Sequence, residues 1–111
     1  MVVQLKDARL NGVFRALADP TRRDIVCRTL VGPVSVSGLA ADYEVSFAAV
    51  QKHVAVLERA GLVCKQAAGR ERLVRAVPKE IARARACLEH LEALWRHRIT
   101  ALDAVLSQPE E

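Results

Sequence analysis

The sequence predicts a mainly α-helical domain carrying one small β-hairpin. Three observations lead there. Hydrophobic residues make up 51% of the chain but aromatic residues only 4%, so the core must be assembled from Leu, Val, Ile and Ala, a mixture that favours helices packed on helices. Apolar positions recur at helical spacing between start and stop signals on both sides of Gly61. Immediately after Gly61 that period gives way to two short β-branched-rich runs, Leu62 to Ala67 and Glu71 to Val77, separated by Ala68-Gly69-Arg70; this is a hairpin with glycine at its turn. With 111 residues the chain fits one domain with a single modest core.

In chain order, residues 5 to 17 form a first helix whose apolar positions are Leu5, Leu10, Val13, Phe14 and Leu17. Asp19-Pro20 is a strong start signal for a second, because Asp19 can cap and Pro20 at the first helical position loses no hydrogen bond. That helix runs to about Val31 with Ile25, Val26, Thr29 and Leu30 inward. Arg22 and Arg23 lie in its first turn, where the helix dipole favours acids; they are read as serving a partner or an ion pair. Gly32-Pro33 ends it. Ser35 caps a short third helix, Val36 to Tyr43, in which Gly38 costs about 1 kcal/mol relative to Ala. Glu44-Val45 is a tight connection.

Ser46 then opens the most informative helix, which Gly61 closes by taking the left-handed conformation. Val50, Val54 and Leu57 face the core. The opposite face carries Ala48, Gln51, Lys52, Ala55 and Arg59, a stripe of small, amide-bearing and cationic groups suited to base edges and phosphates. A short helix, a turn and a longer capped helix form a helix-turn-helix, here about residues 35–61. The hairpin after it, about residues 62–77, is made cationic by Lys65, Arg70, Arg72 and Arg75. A basic hairpin following such a helix is the arrangement of a winged helix-turn-helix. Pro78 opens the last helix, from about Lys79 to Leu106, in which Ile81, Leu88, Trp95 and Leu102 repeat every seven residues with Ala84, Leu91 and Val105 as companions. Such a seam exceeds what one small core can cover, so it is expected to pack on the first helix and on its counterpart in a second subunit. The polar residues 107–111 form a tail.

Charge and cysteine usage bound the function. A formal net charge of +4 and a basic pI near 9.3 suit a polyanionic partner. No stretch approaches the roughly 20 apolar residues of a membrane span, and Lys6, Asp7 and Arg9 interrupt any signal-peptide core, so a cytoplasmic protein without membrane association is expected. Three cysteines, Cys27, Cys64 and Cys87, form no paired spacing and no disulfide framework. Three scattered histidines assemble no nucleophile–base–acid set and no glycine-rich phosphate loop occurs, which argues against an enzyme.

The segments Ala16-Leu17-Ala18-Asp19-Pro20-Thr21-Arg22-Arg23, Leu57-Glu58-Arg59-Ala60-Gly61-Leu62-Val63 and the Gly69-Arg70 wing resemble, in order and spacing over roughly residues 8 to 77, the ArsR-type winged-helix repressors. The long terminal helix fits that family's dimerisation element. The resemblance implies a homodimeric transcriptional regulator, usually a repressor and often acting on its own operon. In the family's metal sensors a Cys-x-Cys precedes the recognition helix; Ser35-Val36-Ser37 stands in its place here. The terminal helix carries Cys87, Glu89, His90, Glu92, His97 and Asp103 but lacks the family's Asp-x-His with paired distal ligands. The chain thus looks closer to the metal-independent members, with no cofactor expected.

The residues expected at DNA are Ser46, Phe47, Ala48, Gln51, Lys52, Arg59, Arg70 and Arg72. Gln51 suits adenine and Lys52 guanine or phosphate; Phe47 suits a thymine methyl or equally packing on the third helix; Arg70 and Arg72 suit phosphate or the minor groove. His53 flanks the buried stripe and is read as a structural histidine. The dimer contact is assigned to Leu10, Phe14, Leu88, Leu91, Trp95 and Leu102. Cys87 and His90 supply two of the three or four ligands zinc needs, with His97 or a second subunit required to complete the set; the plainer reading is a buried thiol beside a surface histidine. The expected partner is double-stranded DNA bearing an imperfect palindrome. The alternatives are a metal- or redox-responsive sensor of the same fold, and a protein-interaction module without DNA binding.

Overall fold

The computed structural model describes residues 7–107. Five helices and a three-stranded sheet follow in the order α1 (Ala8–Leu17), α2 (Pro20–Val31), β1 (Val34–Ser35), α3 (Val36–Tyr43), α4 (Phe47–Arg59), β2 (Val63–Ala68), β3 (Glu71–Ala76) and α5 (Lys79–Leu106). Leu5, assigned to the first helix from its spacing, lies outside the described residues, as do residues 108–111. The helix begins at Ala8 because Asp7 accepts the amide of Arg9 at 2.8 Å and caps it, a start signal the spacing alone passes over.

The core is aliphatic. Val13, Ile25, Leu39, Val50, Val54, Leu57, Leu62 and Val74 are fully buried, so α1 to α4 and the sheet all contribute to one cluster. Ile81 packs against that cluster, while Ala84 and Cys87 are buried within it, where α5 lies on α1. Thr29 is buried and donates its hydroxyl to the Val26 carbonyl at 2.8 Å, which satisfies a polar group that would otherwise cost about 1–3 kcal/mol. Leu30, expected inward, is 54% exposed. At 100° per residue, Ile25, Val26 and Thr29 share one face of α2 and Leu30 turns away from it.

Arg22 and Arg23 make no ion pair among the described residues. Arg22 donates through Nε to the Ala16 carbonyl at 2.7 Å and through Nη2 to Arg15 at 3.3 Å. Arg23 Nη1 donates to Leu17 at 2.8 Å and Ala18 at 3.2 Å. Both guanidinium groups thus bond to carbonyls at the end of α1 and its cap, where the helix dipole favours cations. Their placement is unfavourable for α2 and favourable for α1. Asp19 caps α2 by accepting the Arg22 amide at 3.0 Å.

The hairpin expected after Gly61 is present and has a third strand. β2 pairs with β3 from Val63 opposite Ala76 to Ala68 opposite Glu71, and β1 pairs with β3 through Val34 opposite Val74 and Ser35 opposite Leu73. Two strand residues inside Pro33-Val34-Ser35 leave no alternation to read, so only the tertiary pairing reveals them. The wing turn is Gly69-Arg70, with Gly69 at φ +63 and Arg70 on the ordinary side. A positive φ at the first central position alone is the type II′ pattern that suits hairpin twist. Ser35 ends β1 and also caps α3, its hydroxyl accepting the Gly38 amide at 3.0 Å, so one residue ties the root of the wing to the start of the helix-turn-helix. Glu44, in the left-handed conformation at φ 54, turns the chain from α3 towards α4. Across α2 and α3, Arg28 pairs with Asp42 at 2.6 Å and lies 5.5 Å from the Tyr43 ring centre, while the Tyr43 hydroxyl donates to Asp24.

Beyond Cys87 the long helix leaves the domain. Leu88, Leu91, Leu94, Trp95, Ile99, Leu102, Val105 and Leu106 are all exposed.

Candidate nucleic-acid interface

The site forms where three elements converge: the first turn of α3, the outer face of α4 and the wing. Ser46 fixes the start of α4, its hydroxyl accepting the Ala49 amide at 3.1 Å. The inward set Val50, Val54 and Leu57 is buried as its spacing predicts, which leaves Phe47, Ala48, Gln51, Lys52 and Arg59 exposed. Phe47, Gln51, Arg70 and Arg72 come together on one cleft of about 550 Å³, joined by Val36, Ser37, Lys65 and Glu71. Residues about twenty positions apart in the chain thus share a wall because β3 returns the wing towards α3.

The electrostatics of that cleft are selective. Lys65 is spoken for: its Nζ lies 3.6 Å from Glu58 Oε1 and its amide donates to Glu58 Oε2 at 3.3 Å. Arg70 and Arg72 are exposed and make no ion pair among the described residues, so their charge faces outward. Glu71 sets one carboxylate between them. Phe47 is 49% exposed and lines the cleft together with Val36 of α3. Arg59 stands apart. It lies twelve residues beyond Phe47, about 18 Å along the helix, and lines a separate hollow with Gly12 and Arg15 of α1. Ser37 joins the cleft without having been selected from the sequence, since its adjacency to the wing depends on β1 pairing with β3.

His53 is half-buried behind the exposed face, with Nδ1 3.5 Å from Arg22 Nη1 and 3.9 Å from Asp19 Oδ2. It links α4 to the first turn of α2. Bonding to the Arg22 amide, with the neighbouring His53 and Arg22 charges, holds the Asp19 carboxyl below its ordinary value of 3.8.

The residues expected at a dimer contact divide. Leu10 is 4% exposed in the chain's own core, so its side chain has almost no surface to offer a partner; the helical spacing marked it as apolar but not which apolar body it meets. Phe14 packs partly against the core, and Leu88, Leu91, Trp95 and Leu102 are exposed along α5. Cys87 is buried while His90 and His97 are exposed, a buried thiol with surface histidines. Among the described residues no group of three or more His, Cys, Asp and Glu side chains could hold a metal, and no helix is long and apolar enough to cross a membrane.

Comparison with known proteins adds a consistent set. The family model for bacterial regulatory proteins of the arsR family matches residues 19–65. The HTH-type transcriptional regulator Rv2034 of Mycobacterium tuberculosis is 41% identical over 87 residues, which is 78% of each chain. The structure of an ArsR-like transcriptional regulator from Rhodococcus sp. RHA1 is similar at a TM-score of 0.76 with 36% identity, covering 88% of this chain and 92% of that one. The homodimeric winged helix-turn-helix DNA-binding domain of Mb0332 from Mycobacterium bovis shares the fold at a TM-score of 0.63 and 20% identity, over 84% of this chain and 91% of that one.

Proposed function

The chain belongs to the arsR family of helix-turn-helix transcriptional regulators, and on that premise we propose that it is a homodimeric repressor of its own or neighbouring genes. The observation that carries the DNA reading is the shared cleft: Phe47 and Gln51 of α4 face Arg70 and Arg72 of the wing across one concave surface. In this reading α4 enters the major groove, with Gln51 reading a base edge, adenine suiting its amide, and Lys52 taking guanine or phosphate. Arg70 and Arg72 follow the adjacent backbone or minor groove. Ser46 and Ala48 allow close approach at the start of the helix. Two such helices about 34 Å apart read an imperfect palindrome.

Homodimer formation is supported by the exposed apolar length of α5, which is long beyond the needs of its own domain, and by the likeness in fold to a homodimeric domain. In this reading the dimer represses by occupying the promoter. The test is a fluorescence-anisotropy titration of the chain with the DNA upstream of its own gene, across a salt series. Tight binding to that DNA, weaker binding to a scrambled duplex and a linear fall of log affinity with log salt are expected. Equal affinity for both duplexes would overturn the sequence-specific reading, and salt-insensitive or absent binding would leave an interaction module instead.

A further inference from the structure

Arg9, Arg15 and Arg59 gather at one place without the structural tasks the fold gives other arginines. Arg22 and Arg23 bond to carbonyls at the end of α1, Arg28 pairs with Asp42, and Arg83 pairs with Asp7 and Glu80. By contrast, Arg9, Arg15 and Arg59 are exposed and make no ion pair among the described residues. They border two adjoining hollows between α1 and the end of α4, which share Gly12, Arg59 and Ala60. One, of about 270 Å³, is completed by Arg15, Ala16 and Val56. The other, of about 530 Å³, is completed by Ala8, Arg9, Gly61 and Glu80.

The groups that could neutralise these cations are already engaged. Glu80 is 8% exposed and accepts Arg83 Nη1 at 3.0 Å; Asp7 pairs with the same guanidinium. Glu58, next to Arg59 in the chain, pairs with Lys65 at 3.6 Å. The end of α4 is closed by its own backbone, since the amides of Ala60, Gly61 and Leu62 donate to the carbonyls of Val56, Glu58 and Leu57. Those carbonyls leave Arg59 no such task as Arg22 has at α1. Gly12 is the second observation. It is half-buried, its φ is not positive, and a Cβ there would meet nothing within 4 Å. Glycine inside a helix costs about 1 kcal/mol relative to alanine, yet neither conformation nor packing requires one here. Its missing side chain keeps both hollows open. Arg9 and Arg15 stand three residues to either side, about 9 Å apart along the axis of α1.

We propose that this double hollow binds a small organic carboxylate with a compact apolar body. Arg59, common to both hollows, takes the carboxylate through its planar fork, and Arg9 and Arg15 add charge from either side. The body lies on Gly12, Ala16, Val56 and Ala60, a wall that a bare inorganic anion would leave uncovered. A divalent cation is disfavoured, because it would meet three guanidinium groups and a single carboxylate that is already paired. The larger hollow falls within the range of about 300–1,000 Å³ usual for small-molecule sites. The cleft between α4 and the wing contains none of these residues except those of α4's other end, and Phe14 lies about 200° round α1 from Gly12. The site therefore stands apart from the surfaces assigned to DNA and to a second copy, and it depends on neither reading.

Isothermal titration of the full chain in the absence of DNA tests this, with 2-naphthoate and octanoate as probes and their uncharged amides as matched controls. Saturable binding of at least one carboxylate is expected, with its amide at least about tenfold weaker. No saturable binding of either at millimolar concentration overturns the proposal. Gly12→Leu should abolish binding while the thermal midpoint holds or rises, since leucine is the better helix former; retained binding in that folded variant overturns the site. Arg59→Gln keeps the hollow's walls and should weaken the carboxylate at least about tenfold while leaving the amide unchanged. An equal change for acid and amide, or none, overturns the clamp. Arg98→Gln, an exposed position on α5 outside both hollows, should bind as the unaltered chain does. A loss there equal to that of Arg59→Gln overturns the site in favour of attraction by net charge.

Discussion

Ser35 and Gly38 are locked together at the start of α3. The Ser35 hydroxyl accepts the Gly38 amide at 3.0 Å, and a Cβ added at Gly38 would stand 2.9 Å from that same Oγ. Glycine inside a helix costs about 1 kcal/mol relative to alanine, so α3 gives up propensity to keep its cap, and the cap residue is also the end of β1.

This relationship predicts that the two positions are energetically coupled. Gly38→Ala in the unaltered chain should leave stability nearly unchanged, because losing the cap, about 1 kcal/mol, cancels the gain of about 1 kcal/mol in propensity. Ser35→Ala should cost about 1 kcal/mol by itself. In the Ser35→Ala background the obstruction is gone, and Gly38→Ala should then raise stability. Urea midpoints of the four chains measure it; an equal effect of Gly38→Ala in both backgrounds would contradict the account.

Arg22 should matter to folding far more than to DNA. Arg22→Met keeps the aliphatic stem but removes the donors to Ala16 and Arg15, and a loss of about 1–2 kcal/mol is expected. The salt dependence of operator binding should stay unchanged. A flatter salt slope in the Arg22 variant would show that its charge reaches phosphate instead.

The two cap carboxylates give the domain a defined acid sensitivity. Bonding to the Arg9 amide, aided by the Arg83 guanidinium, holds the Asp7 carboxyl below its ordinary 3.8, and bonding to the Arg22 amide does the same for Asp19. A folded value below the unfolded one means that the stabilisation is present above the unfolded value and lost as pH falls through the folded one. Thermal midpoints should therefore hold steady near neutrality and fall below about pH 4. Asp7→Asn and Asp19→Asn should each make that fall shallower, and an unaltered acid limb in both would exclude the caps as its source.

On DNA, the cleft holds Gln51 and Arg70 but not Arg59, which predicts three different outcomes. Gln51→Ala should reduce discrimination between operator and scrambled duplex by about 1–3 kcal/mol while sparing most non-specific affinity. Arg70→Gln should weaken both duplexes and lower the salt slope by about 1. Arg59→Gln, at the far end of α4 beside Arg15, should change neither by more than a small factor. A large loss at Arg59 would move the contact surface towards α1.

Much of this molecule follows from local chemistry. Asp19-Pro20, Ser35, Ser46 and Pro78 mark the starts of helices within a residue of where they occur, because caps and proline act on the adjacent backbone. Gly61 at φ +80 and Gly69 at φ +63 occupy the turns their sequence context assigns. The period of Val50, Val54 and Leu57 identified the buried side of α4, and with it the outward face that carries Gln51 and Lys52.

Other features depended on which surfaces meet. Arg22 and Arg23 read as misplaced charges on α2 until α1 ends beside them, since a guanidinium can answer carbonyls of a different helix. β1 is too short to show alternation and exists only through its bonds to β3, and that pairing brings Ser37 to the wing. Periodicity marked Leu10 and Leu88 alike as apolar, yet one is buried in its own domain and the other exposed beyond it. The sequence by itself determined the elements, their caps and the chemical character of each face, because those depend on neighbours within a turn or two. Tertiary structure alone decided which of those faces are left over for DNA and for a second chain, because exposure depends on every element packed nearby.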